Sequence, residues 1–274
     1  MTTQAEKAAR FRALHQGPRV LVMPNPRDAG RATILAALGF EALATTSLGL
    51  ANMIGVPDGE GSMPRDAVLE NCRVLSAATD LPVSADLENG YAHEPRAAAR
   101  MITDAAAAGV VGGSIEDSTG DRSKPIYDFN LAVERVQAAV EAARALPFPF
   151  TFTARAENLL HGSPDLDDII RRLQAFEKAG ADVLYAPGLS SLDDVRTVVK
   201  SVSKPVNVVM GWVAKGTTVQ DLETVGVRRI SIGGALSRVA MGAFYKAAQD
   251  LKGGSFAWMK DAMPTKQLKD IFRD

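Results

Sequence analysis

Four acidic residues, Asp58, Asp86, Glu88 and Glu116, are the side chains of this 274-residue chain best placed for chemistry. Each lies at or just beyond the C-terminal end of a predicted β-strand. Carboxylates gathered on one face repel one another unless a hard divalent cation binds between them, and an all-oxygen donor set points to Mg2+, with Mn2+ as the alternative. Asp86-Leu87-Glu88 closes the third strand. Side chains alternate across a strand, so positions 86 and 88 are expected on one side and Leu87 on the other. Glu116, in Ser114-Ile115-Glu116-Asp117, closes the fourth strand and should stand beside that pair. Asp117 is expected in the opposite layer, making a cap or a salt bridge. Asp58 lies in Gly55-Val56-Pro57-Asp58-Gly59, a segment that also reads as an ordinary turn.

Arg155 closes the fifth strand. An arginine among apolar strand residues needs an acidic partner or an anionic ligand, because a buried unpaired charge is costly. Its planar fork suits a substrate carboxylate or phosphonate; an ion pair with Glu157 or a neighbouring acid is the alternative. Ser47 heads Ser47-Leu48-Gly49 at the end of strand two, where a hydroxyl and the following amides could bind a carboxylate or an enolate oxygen. Thr45, Thr46 and Ser47 read equally well as plain polar residues at a strand end. Arg122 and Lys124, in the polar segment 118–127, are candidate contacts for an anionic substrate tail on a closing lid, with a solvated loop as the other reading. His15, His93 and His161 have no metal-ligand spacing, which argues against zinc. Cys72, inside a predicted helix, reads as a buried structural thiol.

The elements that must position these residues repeat one pattern. Short apolar, β-rich runs occur at 19–25, 42–47, 82–88, 110–117, 150–158, 182–188, 205–210 and 228–234, and stretches with helical spacing such as 131–145 and 165–179 lie between them. Helices close repeatedly on glycine, at Gly39, Gly109, Gly180 and Gly226, and the next strand starts at once. Strands that are apolar nearly throughout fit a parallel sheet buried on both faces. Eight of them alternating with helices predict a (β/α)8 TIM barrel, in which strand C-termini share one face and carry the active site. No G-x-G-x-x-G or Walker-type loop supports an open nucleotide-binding sheet. Gly112-Gly113 and Gly233-Gly234 read as close packing or as phosphate contacts. No linker divides the chain, so residues 1–274 are expected to form one barrel domain, with 253–274 as a C-terminal helical tail. Trp258 and Met259 in that tail should pack on the barrel or on a neighbouring subunit.

Composition sets the outer limits. A net charge of −1 gives no footprint for nucleic acid. No apolar run approaches the length that spans a bilayer, the N-terminal residues do not read as a signal peptide, and one cysteine rules out an internal disulfide. A soluble cytoplasmic protein with no membrane partner is expected.

With these residues in place, the chain resembles the isocitrate lyase/phosphoenolpyruvate mutase superfamily from about Arg19 to its C-terminus. The marks are Thr46-Ser47-Leu48-Gly49, the Gly-Val-Pro-Asp at 55–58, Ser84-Ala85-Asp86-Leu87-Glu88-Asn89-Gly90-Tyr91, Gly113-Ser114-Ile115-Glu116-Asp117 and Thr153-Ala154-Arg155. Their order on successive strands makes the set specific. The resemblance implies Mg2+ approached by Asp86 and held largely through water by Asp58, Glu88 and Glu116, a 2-oxo acid held by Ser47–Gly49 and Arg155, and a homotetramer that exchanges C-terminal helices. It also implies bond making or breaking next to an enolpyruvate. The loop Lys-Lys/Arg-Cys-Gly-His of lyases that cleave isocitrate or methylisocitrate is absent at 118–127, which argues against those two activities, and the mutases' Lys-x-Asn is not evident there. The expectation is a Mg2+-dependent carbon–carbon lyase acting on a small 2-oxo or 2-hydroxy dicarboxylic acid, such as an oxaloacetate decarboxylase. The alternatives are phosphorus–carbon chemistry on phosphonopyruvate, as mutase or hydrolase, and a non-catalytic metabolite-binding barrel.

Overall fold

The computed structural model describes residues 2–59 and 63–272. Helix α1 (Gln4–Leu14) leads into β1 (Leu21–Met23), α2 (Ala29–Ala37), β2 (Leu43–Ala44), α3 (Ser47–Ile54), α4 (Arg65–Ala77), β3 (Val83–Asp86), α5 (Pro95–Ala107) and β4 (Gly112–Glu116). The chain continues through α6 (Phe129–Arg144), β5 (Thr151–Arg155), α7 (Leu166–Lys178), β6 (Val183–Tyr185), α8 (Leu192–Lys200), β7 (Val206–Val209), α9 (Val219–Thr224), β8 (Arg229–Ser231), α10 (Ala235–Lys252) and α11 (Thr265–Ile271). Every strand lies inside its expected range and is shorter at both ends, because the chain leaves the ladder before the apolar run is over.

All strand pairs are parallel, in the order β1-β8-β7-β6-β5-β4-β3-β2. The remaining seam between β1 and β2 carries no ladder, yet it is tied. Ala44 N–H donates to the Pro24 carbonyl at 3.0 Å. The Asn25 side chain donates to the Thr45 carbonyl at 2.9 Å and accepts from Ile232 N–H at 3.1 Å, stitching the ends of β1, β2 and β8 together. The result is a nearly closed TIM barrel with its helices outside.

Two glycine readings resolve here. Gly39, Gly109, Gly180 and Gly226 all take positive φ, between 85° and 105°, as helix closure requires. Gly112 and Gly113 serve close packing: a Cβ on Gly112 would meet Phe11 Cε1 at 2.7 Å and the Thr151 carbonyl at 2.9 Å, and one on Gly113 would meet Leu87 at 2.9 Å. Phe11 of α1, fully buried with Ala8, packs against the floor of the barrel. Cys72 is fully buried on α4, and burial pushes its thiol up to about 12, so it is an inert packing residue.

The C-terminal segment differs from the other helices. Of the 18 residues of α10 only Ser237 is buried, and Phe244 and Tyr245 are 71% and 65% exposed. Met259 stays exposed as well, so within one chain the barrel does not cover it. The last helix, α11, turns back towards α2, where Phe272 approaches Gly30. Among the described residues no helix is long and apolar enough to cross a membrane.

Candidate active site

Arg155, the last residue of β5, organises the C-terminal face of the barrel. Its Nη1 donates to Asp86 Oδ1 at 2.9 Å, its Nε to Glu157 Oε1 at 2.9 Å, and its Nη2 lies 3.1 Å from Glu116 Oε2. The guanidinium also sits over the Tyr185 ring at 5.0 Å. Burial opposes its charge, but Glu157, Glu116 and Asp86 outweigh that and hold its pKa well above the ordinary value. The sequence left open whether Arg155 meets a ligand or an acid; it meets three acids, on a surface that still lines the cavity above the barrel.

Asp86 ends β3 and is held from three sides. Its backbone N–H donates to Thr45 Oγ1 at 2.8 Å, and its carboxylate accepts from Ser47 N–H at 3.2 Å as well as from Arg155. Ser47 does not end the second strand, as its sequence range implied, but is the first residue of α3. Thr46, the residue before it, makes no side-chain cap, so the first-turn amides of Ser47, Leu48 and Gly49 form a helix N-terminus at the site. Gly49 itself is buried, and a Cβ there would strike Thr46 at 2.6 Å; its part is to let the helix start this close.

Glu88 reaches the site by a route that alternation does not describe. The strand stops at Asp86, and Glu88, Gly90 and Tyr91 all take left-handed backbone, with φ of 46°, 79° and 58°. For residues other than glycine this costs roughly 1–2 kcal/mol each, and such strain concentrates where geometry serves function. Glu88 Oε1 and Tyr91 Oη are buried near each other and, among the described residues, hydrogen-bond to no third group. Burial, and then the nearby Asp86, push Glu88 up to about 7. Burial likewise raises Glu116 well above the ordinary carboxylate range against the pull of Arg155.

Asp58, Glu88, Glu116, Arg155 and Ser47 line one cavity of about 740 Å3, together with Arg122. Lys124 does not line it: its ammonium pairs with Asp128 at 2.8 Å, before α6. The segment 118–127 folds back on itself, with Ser118 bridging Ile126 and Thr119 N–H donating to the Pro125 carbonyl at 2.8 Å. Asp117 faces away as expected, accepting from Glu157 N–H at 2.8 Å and pairing with Arg172 of α7 at 3.0 Å; this fixes the backbone just past Arg155. A second cavity of about 210 Å3 descends into the barrel and shares Ser47, Asp58 and Arg155 with the first. Leu48, Tyr185, Asn207 and Trp212 line it.

His93 also lines the upper cavity, and the sequence did not single it out. Its Nδ1 lies 2.6 Å from Tyr127 Oη, and Arg135 stacks on the Tyr127 ring at 4.2 Å while donating to the Ala92 and His93 carbonyls. No spacing in the chain signals that pairing, because the partners come from loops after different strands.

Among the described residues no three acids or histidines form a ready-made metal cage, since the Arg155 guanidinium stands among the carboxylates. The donor set nevertheless fits a hard cation. Asp86 and Glu116 are oxygen donors beside a buried Glu88 oxygen that has only the Tyr91 hydroxyl near it, with Asp58 at the exposed rim. A cation held near Glu88 binds the ionised carboxylate, so protonation competes with it. Apparent Mg2+ affinity is therefore expected to fall about tenfold per pH unit below pH 7 and to level off above it. Calorimetric titrations at pH 6 and pH 8 check this, and equal affinities would remove Glu88 from the site.

A family model described as phosphoenolpyruvate phosphomutase matches residues 11–252. The chain belongs to the phosphoenolpyruvate mutase family. Within this family it is similar to a solved protein of Burkholderia cenocepacia J2315 placed in the lyase/mutase class, with 52% identity and a TM-score of 0.96 over 99% of this chain and 97% of that one. It is 27% identical to Probable 2-methylisocitrate lyase 2 of Corynebacterium glutamicum, over 98% of this chain and 89% of the relative. It shares its fold with a phosphonopyruvate hydrolase solved with oxalate and Mg2+, at 23% identity and a TM-score of 0.86, over 99% and 95% of the two chains. The phosphoenolpyruvate mutase family thus joins lyases and mutases on one barrel.

Proposed function

We propose that this protein is a Mg2+-dependent carbon–carbon lyase acting on a small 2-oxo or 2-hydroxy dicarboxylic acid through an enolpyruvate, with oxaloacetate decarboxylation as the model reaction. The observation that carries it is the Arg155 guanidinium, buried among Asp86, Glu116 and Glu157 beside the N-terminus of α3. Asp86, with Asp58, Glu88 and Glu116 through water, would hold Mg2+, which supplies Lewis acidity towards a developing enolate. Arg155 and the Leu48 and Gly49 amides orient the substrate carboxylate and carbonyl oxygen and receive charge as the bond breaks. Glu157 and Asp117 keep the arginine and its backbone still, so little reorganisation is needed. The walls at 118–127 limit water at the enolate.

Phosphorus–carbon chemistry is the second reading, favoured by Arg122 at the cavity where a phosphonate would sit. Pyruvate release from oxaloacetate and from phosphonopyruvate, measured side by side with Mg2+ and with EDTA and corrected for metal-only decarboxylation, separates the two. EDTA-sensitive release from oxaloacetate alone supports the lyase; release from phosphonopyruvate alone replaces it. Release from neither moves the reading to a mutase, a larger substrate or a binding barrel.

The exposed Phe244, Tyr245, Phe256 and Met259 support self-association through the C-terminal segment. Light scattering showing only monomer would remove the homo-oligomer.

A further inference from the structure

Arg229 enters the barrel interior from β8 and is 4% exposed. Its Nε donates to Asn207 Oδ1 at 2.8 Å and its Nη1 to Thr153 Oγ1 at 3.0 Å, both neutral partners. Among the described residues no carboxylate lies within ion-pairing distance of it. The ionisable groups that influence it are Tyr185 and the like-charged Arg155. From below comes His15, whose Nδ1 is engaged by the Phe11 carbonyl at 2.8 Å; burial and then Arg229 push it down to about 4, so it is neutral. A buried cation with only neutral or positive neighbours is destabilising on its own, and burial lowers even this guanidinium to about 10.

The cavity of about 210 Å3 connects Arg229 to the upper site. It is lined by Arg229, Asn207, Ser84, Ser114 and Ser231, and it reaches Ser47, Asp86 and Arg155. Asn207 is locked in orientation, since its Nδ2 donates to Ser231 Oγ at 3.0 Å while its oxygen faces Arg229. We propose that Arg229 receives the second carboxylate of a dicarboxylic 2-oxo or 2-hydroxy acid whose first carboxylate lies at Arg155 and the N-terminus of α3. This subsite rests on the function proposed above and adds to it the residue that selects the substrate class. The remaining guanidinium edge matches one planar, singly charged carboxylate. A phosphonate would bring more charge and a tetrahedral shape to a depth with one unpaired cation, so the barrel floor favours a dicarboxylic acid.

Malate and lactate differ by the second carboxylate alone and serve as probes. In calorimetric titrations of the Mg2+-loaded full-length protein, the wild type should bind malate at least about tenfold more tightly than lactate, as a charge-assisted pair provides. Arg229→Met should bind the two alike, with lactate affinity unchanged. Its melting temperature without ligand should stay within a few degrees of the wild type, because losing an unpaired buried charge offsets the hydrogen bonds lost at Asn207 and Thr153. A wild type without the malate preference overturns the proposal, and so does an Arg229→Met protein that keeps it. Should Arg229→Met not fold, Arg229→Lys, which keeps the charge and loses the fork, reads the same ratio: an unchanged ratio overturns the subsite and a reduced one supports it. Oxaloacetate turnover with a KM independent of Arg229 would leave the lyase standing and remove the subsite. An Arg229-dependent malate preference in a protein that turns over neither test substrate would do the reverse.

Discussion

Asp86→Ala is expected to lower Mg2+-dependent turnover by about 10³-fold or more, with a melting temperature within a few degrees of the wild type. Asp86 accepts from both Ser47 N–H and Arg155 Nη1, so it is the residue that links the helix N-terminus, the arginine and the proposed ion. Its loss does not strand Arg155, which keeps Glu116 and Glu157. That asymmetry predicts a damaged site on an intact barrel. Steady-state rates with Mg2+ titrated to saturation, together with thermal melts, check both halves. If the variant unfolds, the acids are structural and the site assignment is wrong; if turnover survives, Asp86 is not at the reaction centre. A barrel that only binds a metabolite would have no turnover to lose.

Arg155→Met should do the opposite to the fold. It leaves Asp86, Glu116 and Glu157 facing one another in a buried site, and breaking a buried pair from one side costs about 3–5 kcal/mol. For a chain of this size that corresponds to a fall in melting temperature of about 10 °C, together with loss of turnover. The sign of the pH dependence follows from Glu116, whose carboxyl is already raised above its ordinary 4.5 by burial and would lose the opposing pull of Arg155. A raised carboxyl is least destabilising when protonated, so the stability deficit should shrink as pH falls towards 4.5 and grow as pH rises through the raised value. Mg2+ should restore part of the lost stability, more than it adds to the wild type, because it replaces the missing positive charge. Melts at pH 5 and pH 8, with and without Mg2+, test this; a deficit independent of both pH and metal would mean that Arg155 acts through packing alone.

Much of the architecture was readable in the chain, for local reasons. Apolar runs, helical spacing and helix-closing glycines are features of neighbouring residues, and they located all eight strands and the four left-handed glycines at helix ends. Asp86, Glu116 and Arg155 were placed at strand ends because a strand end is itself a local signal. Local patterning also misled. Alternation predicts Glu88 on the strand, whereas it lies beyond it in a left-handed turn, and Ser47 starts a helix where the pattern predicts a strand end. For Lys124 the sequence offers a lid contact or a solvated loop, and the structure pairs its ammonium with Asp128, four residues on.

By itself, then, the sequence determined the barrel, the order of the charged residues along its strand ends and the family to which the chain belongs. Tertiary structure decided what each of those residues meets. The sharing of Arg155 among three acids, the pairing of His93 with Tyr127 and the meeting of Arg229 with Asn207 and Thr153 join residues from separate strands and loops. Barrel closure sets those juxtapositions through strand tilt and register, long-range quantities that no window of neighbouring residues contains.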